Sequence, residues 1–228
     1  MFSMARIYFV LALFAITLLV TSVVLGLRGG DVNTVSQEYR QALATLQDLT
    51  RQQEMDDPVE AQLAEARSAF DRTRERFQPI RTGQTFHFLV GLLAALVAVL
   101  INSISLTYFI GTSRWCREVV ETYSLDPGLI ERSMMIKRRN VPWALSGILL
   151  VLAVIALGGA SDPGANISNS ADWVVLHRLL AIGATCWIGW AFLQQVGLVG
   201  RHTELIEEIL GLVEEIREGK GSEPAGSD

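Results

Sequence analysis

The chain has 228 residues, half of them hydrophobic, and carries 19 basic against 24 acidic side chains, a formal net charge of −5. An acidic protein without basic-aromatic interleaving or a binding motif is not built to follow a nucleic-acid backbone, so nucleic acid is set aside as a partner. Two cysteines cannot make a disulfide framework, and the gathering of the hydrophobic residues into four blocks sets aside an ordinary water-soluble domain.

The first block, Ile7 to Leu27, has 21 residues without a charge, matching the ~20 that a helix needs to cross ~30 Å of hydrocarbon. It is longer than the roughly 7–15 apolar residues of a signal peptide. Its end, VVLGLRGG, lacks a small-x-small cleavage pattern, so it reads as a retained anchor. A long polar segment follows. Val35, Tyr39, Ala42, Leu46 and Leu49 recur with spacing 4-3-4-3, and Val59, Leu63, Ala66, Phe70, Thr73, Phe77 and Ile80 resume it beyond Asp56-Asp57-Pro58. These are two heptad stripes separated by a turn. Asp57 is placed to cap the second helix, Pro58 to open it and Glu60 to complete a capping box. The prediction is an antiparallel, coiled-coil-like helical hairpin over residues 31–81, with Gly29-Gly30 and Gly83 as joints to the flanking spans. Each arm of about twenty residues would reach about 30 Å at 1.5 Å per residue. Such a hairpin has one seam and little volume for a core, so its apolar positions seek a second copy, which would make a four-helix bundle, or another part of the same chain. In layout alone, the order of span, hairpin and span over residues 7–110 resembles the extracytoplasmic part of bacterial chemoreceptors; no signalling domain follows it.

The second block runs from about Phe86 to Ile110, the third from Trp143 to Ala160, and the fourth from Trp173 to Val199 with Arg178 as its one charge. The expected fold is therefore an all-α integral membrane protein with four transmembrane helices and an extramembrane hairpin between the first two. Residues 111–142 carry Arg114, Arg117, Arg132, Lys137, Arg138 and Arg139, whereas residues 161–172, a short outer loop, carry no basic side chain. The positive-inside rule then places residues 111–142 and both termini in the cytoplasm of a cell (inner) membrane and the hairpin outside. The eight Arg of residues 28–85 oppose this, but at 58 residues that segment is close to the length at which translocated segments stop obeying the charge count. Asn166-Ile167-Ser168 matches a glycosylation tripeptide on the outer side.

Residues 111–142 read as an extension of the second helix to Glu121 or Tyr123, a turn at Leu125-Asp126-Pro127-Gly128, and a short helix ending before Pro142. Lys137, Arg138 and Arg139 would sit at the headgroup level and contact anionic membrane lipids. In the tail, Thr203 to Glu218 sets Leu205, Ile209, Leu212 and Ile216 on one stripe, Ile206, Leu210 and Val213 beside it, and glutamates opposite. Anionic lipid repels an acidic face. The tail helix is expected instead to pair with protein: its glutamates near Arg132 and Lys137 to Arg139, its stripe on residues 111–142 or on a second copy. Residues 219–228 read as a disordered tail.

No G-x-S-x-G, H-E-x-x-H, Walker A or G-x-G-x-x-G motif is present, and the four blocks contain no Asp or Glu. No catalytic residue, cofactor or metal ligand is assigned, and no enzyme activity is expected. The polar residues inside the spans, Asn102, Ser103, Ser105 and Thr107 on the second and Thr185, Gln194 and Gln195 on the fourth, are expected to hydrogen-bond between helices, helped by the small Gly91, Ala95, Ala98, Ala181 and Ala184. Two reduced thiols, Cys116 and Cys186, complete the inventory. The expected role is protein interaction in the membrane, as a scaffold, accessory subunit or sensor-like component that forms homo-oligomers or binds a membrane-protein partner. Its contact residues would be Val59, Leu63, Phe70 and Phe77 of the hairpin, Lys137, Arg138 and Arg139 of the basic loop, and Leu205, Ile209 and Leu212 of the tail. The alternative is a small transporter, channel or haem-carrying electron-transfer protein with its site between the second and fourth spans, where His87 and His177 both lie within five residues of a span's start.

Overall fold

The computed structural model describes residues 4–55, 59–165, 167 and 169–221. Among these there are α1 (Met4–Arg28), α2 (Val32–Glu54), α3 (Glu60–Thr122), α4 (Gly128–Ser161) and α5 (Ser170–Gly221), with a turn of 3-10 helix at Pro163–Ala165 and no strand. The expected turn at Asp56-Asp57-Pro58, Asn166 and Ser168 of the tripeptide, and residues 222–228 lie outside the described residues.

Four of these helices, α1, α3, α4 and α5, are long and apolar enough to cross a membrane. In the most apolar stretch of each, a third of the residues at most is buried inside the protein. Val10, Leu149 and Leu179 are 64%, 65% and 64% exposed. Water penalises bare apolar surface by ~25 cal/mol per Å², whereas hydrocarbon accepts it, and a helix satisfies its backbone polar groups from within, as a lipid surrounding requires.

The helices end where local chemistry stops them. Gly29 and Gly30 separate α1 from α2, and Asp31 caps α2 by accepting from the Thr34 amide at 3.1 Å and the Thr34 hydroxyl at 2.6 Å. Gly83 is no joint, for it lies inside α3. At the end of α3, Ser124 takes a left-handed φ of 51°. The Leu125 amide then donates back to the Val120 carbonyl at 3.0 Å and the Ser124 amide to Glu121 at 3.4 Å, the paired bonds of a Schellman stop. Asp126 accepts from the Gly128 amide at 2.9 Å, and Pro127, which has no amide to lose, opens the next helix. The predicted break before Pro142 is absent. Pro142 lies within α4 and Pro79 within α3; each proline removes a single donor, and both positions flank apolar blocks, where water can replace it.

The contacts divide the chain into two compact units, unit 1 (Met1–Thr17, Ala95–Leu152, Ala184–Asp228) and unit 2 (Leu18–Ala94, Ala153–Gly183). In unit 1 small buried residues, Ala12, Ala15, Ala98, Ala144 and Ala191, let helix backbones approach closely. A second apolar cluster joins Cys116 and Val120 of α3, Leu129 of α4, and Leu205 and Ile209 of α5. In unit 2 the buried apolar side chains among the described residues are Val35, Val59, Leu63, Ala66 and Ala94. Tyr39 of α2 stacks on Phe77 of α3 at 4.6 Å between ring centroids and lies 5.5 Å from Phe70, with Arg76 pairing to Glu38 at 3.1 Å.

Candidate functional site

Polar groups in an apolar interior must find partners or cost several kcal/mol, so the buried ones mark where the chain has something to do. Unit 1 holds two such sets. In the first, Tyr8 Oη donates to Gln195 Oε1 at 2.9 Å, and Gln195 Nε2 donates to Asn102 Oδ1 at 3.0 Å. Asn102 Nδ2 donates to the Ala98 carbonyl at 2.8 Å, and Ser105 Oγ donates to Asn140 Oδ1 at 3.1 Å. Asn102 has room because Gly147 faces it; a Cβ there would stand 3.0 Å from Asn102 Nδ2. These bonds tie α1, α3, α4 and α5 together. They close on one another apart from Asn140 Nδ2, which is buried without a partner.

The second set lies beyond the apolar blocks, where α3, α4 and α5 carry the segments predicted as the basic loop and the tail. His202 is fully buried, with Nε2 3.0 Å from Ser133 Oγ, and the Ser133 hydroxyl is also 3.1 Å from Ser113 Oγ. Tyr108 and Phe109 present their rings edge-on to the imidazole. Burial holds His202 down at about 4, well below the ordinary histidine value, so the ring is neutral at pH 7. Burial also pushes the Cys116 thiol up, against the opposing hydrogen bond from Ser133, and leaves it inert. Of the two free thiols, Cys116 is the buried one and Cys186 the exposed one.

Around this set the tail meets the loop. Leu205 and Ile209 are buried in the cluster with Cys116, Val120 and Leu129, and Leu212 and Ile206 pack at its edge. Arg132 donates to Glu208 at 2.8 Å, both side chains half exposed. Lys137, Arg138 and Arg139 make no ion pair among the described residues, and Arg138 and Arg139 are exposed.

In unit 2, the heptad positions Val59 and Leu63 are buried, at 8% and 3% exposure, and Phe70 and Phe77 are half-buried against Tyr39. His87 and His177 come together with ring centroids 6.4 Å apart. Of the polar residues singled out in the spans, Asn102, Ser105 and Gln195 join the buried network; Ser103 bonds its own helix at the Val99 carbonyl, and Thr107 and Arg178 are exposed.

Tyr8, Asn140, Ser133 and His202 were not singled out from the sequence. Tyr8 and Asn140 carried a usable signal, a hydroxyl inside an apolar run and an amide at the end of a basic cluster, each of which needs a partner. His202 and Ser133 carried none, because nothing in their spacing announces that residues 69 apart meet.

Comparison with known protein families, with characterised proteins and with solved structures found no match to this chain. What its residues define is a class: an all-helical protein in which four helices are long and apolar enough to cross a membrane.

Proposed function

We propose that this is a multi-pass protein of the cell (inner) membrane, with both termini cytoplasmic, that works by protein-protein interaction as a scaffold, accessory subunit or sensor-like component. In this reading α2 and the first part of α3 form an extracytoplasmic helical hairpin, and α5 ends in an acidic cytoplasmic helix. The observation that carries it is the thinness of the α2–α3 seam. Among the described residues of α2 and of α3 up to Arg81, together with Val59 just before it, the buried side chains are Val35, Ser36, Val59, Leu63 and Ala66. Two helices burying one stripe are marginal alone, and a partner, a second copy or a neighbouring membrane protein, completes the layer. Met55, 64% exposed at the end of α2, adds an apolar side chain to that surface.

The experiment is replacement of Leu63 and Phe70 by Asp in the full-length protein, with oligomeric size and cross-linked partners read from native membranes. Loss of assembly with Cys116 still protected from thiol reagents supports the reading. Unchanged assembly removes the hairpin from it.

One observation favours a second reading, a small transporter, channel or haem-carrying electron-transfer protein: the approach of His87 to His177. Absence of a Soret band in protein purified from its own membrane would remove the haem form.

A further inference from the structure

The apolar helices contain a repeat. In unit 1, Tyr8 of α1 bonds Gln195 of α5 while Asn140 of α4 bonds Ser105 of α3. In unit 2, His87 of α3 lies against Gly26 of α1 with Nδ1 3.0 Å from the Ser22 carbonyl oxygen, and His177 of α5 lies against Gly158 of α4 beside the backbone of Val154. These positions share one register. Tyr8 and Asn140, Ser22 and Val154, and Gly26 and Gly158 are each 132 residues apart, while His87 and His177, and Ser105 and Gln195, are each 90 apart. Burial follows the same offsets: Tyr8, Ala12 and Ala15 match Asn140, Ala144 and Gly147, and Ala94, Ala98 and Ile101 match Ala184, Ile188 and Ala191. The pair α1 and α3 and the pair α4 and α5 thus follow one plan. His87 and His177 are equivalent residues of that plan, each set against a glycine of the neighbouring helix, with ring centroids 6.4 Å apart.

Their setting is that of ligands. The rings meet at 71° with centroids 6.4 Å apart. Two imidazoles that bind one ion at ~2.0–2.1 Å hold their centroids roughly 5–6.5 Å apart, the upper end belonging to a linear arrangement. The Ser22 carbonyl can only accept, so His87 Nδ1 carries the proton and Nε2 keeps the lone pair, the tautomer that a backbone carbonyl behind a metal-bound histidine enforces. His177 Nδ1 is likewise buried, with the backbone of Val154, the counterpart of Ser22, beside it. Both rings are held by glycine: a Cβ on Gly26 would stand 2.8 Å from Cε1 of His87, and one on Gly158 3.1 Å from Cε1 of His177. Among the described residues no group of three or more His, Cys, Asp and Glu could hold a metal, so no third ligand of those kinds joins His87 and His177. Zinc takes four ligands; a set of two imidazole nitrogens suits copper(I), which accepts two-coordinate binding.

We propose that His87 and His177 form a two-histidine site for a low-coordinate late transition-metal ion, copper(I) being the ion it fits best. The site stands independently of the interaction role above. Its test uses full-length protein in detergent carrying Cys186→Ser, because an exposed thiol competes for copper. The protein is titrated anaerobically with copper(I) against a chromophoric chelator, and with zinc(II) in parallel. One copper(I) per chain is expected, with X-ray absorption showing two nitrogen neighbours and no sulfur. His87→Gln and His177→Gln should each weaken binding by more than the roughly 10–100-fold that loss of a supporting hydrogen bond costs a metal site, with melting temperature and helix content checked alongside. His202→Gln, in unit 1, should bind as the parent does. Absence of stoichiometric copper(I), binding that survives replacement of both histidines in folded protein, sulfur neighbours, or zinc(II) held more tightly than copper(I) would each overturn the proposal.

Discussion

The segments beyond the apolar blocks differ between the two units in the depth of their packing. In unit 1, α3, α4 and α5 all contribute to one cluster, and Cys116 and Ile209 at its centre are fully buried. In unit 2, α2 and the first part of α3 meet along a stripe whose aromatic residues, Tyr39, Phe70 and Phe77, are only half-buried. Three helices enclose a volume; two share a line. The tail helix thus belongs to its own chain's core, while the α2–α3 stripe stays half open, the surface on which the proposed partner would pack.

That contrast can be broken most severely by truncation after Arg201, which removes the whole α5 contribution to the unit 1 cluster. The expected result is a loss of several kcal/mol, since burying two aliphatic side chains is worth ~2–5 kcal/mol each, and Cys116 turning from protected to reactive toward a membrane-permeant maleimide. If Cys116 stays protected, the three-helix core does not hold. A finer cut compares single truncations. Ile209→Ala should cost ~2–5 kcal/mol and Leu63→Ala distinctly less in detergent, because its stripe is enclosed by two helices rather than three; chemical denaturation of the two variants orders them.

Acid should act next. His202 has a folded value of about 4 against ~6.5 in an unfolded chain. The unfolded state therefore takes up the proton first, and stability falls as the pH drops through the window from about 6.5 to about 4, by at most ~1.4 kcal/mol per pH unit from this one group. The groups around the ring, Ser133, Ser113, Tyr108 and Phe109, carry no charge that would offset it. His202→Gln should flatten the melting temperature between pH 6.5 and 4; an unchanged slope would show that the acid sensitivity arises elsewhere. The smallest effect belongs to Arg132 and Glu208. Their bond is short but both side chains are half exposed, and water screens such pairs. Arg132→Ala should leave the melting temperature within a degree or so of the parent at high salt, with apolar contact from Leu205 and Ile209 providing the docking.

From the sequence alone, the helical class, four helices of membrane-crossing length, the heptad stripes and the apolar stripe of the tail could be read, because each is a matter of spacing along a single helix. The turn at Leu125 to Gly128 was legible for the same reason: Asp, Pro and Gly act within a few residues of themselves. Only tertiary structure decided which polar residues meet, as Tyr8 with Gln195, Ser133 with His202 and His87 with His177 do across 187, 69 and 90 residues. It also decided that α4 runs through Pro142, since one missing donor is a small loss beside the packing of the turns on either side. A helix writes its own faces into its sequence, but the facing helix supplies the other half of every buried pair, and that half is set by how the helices pack.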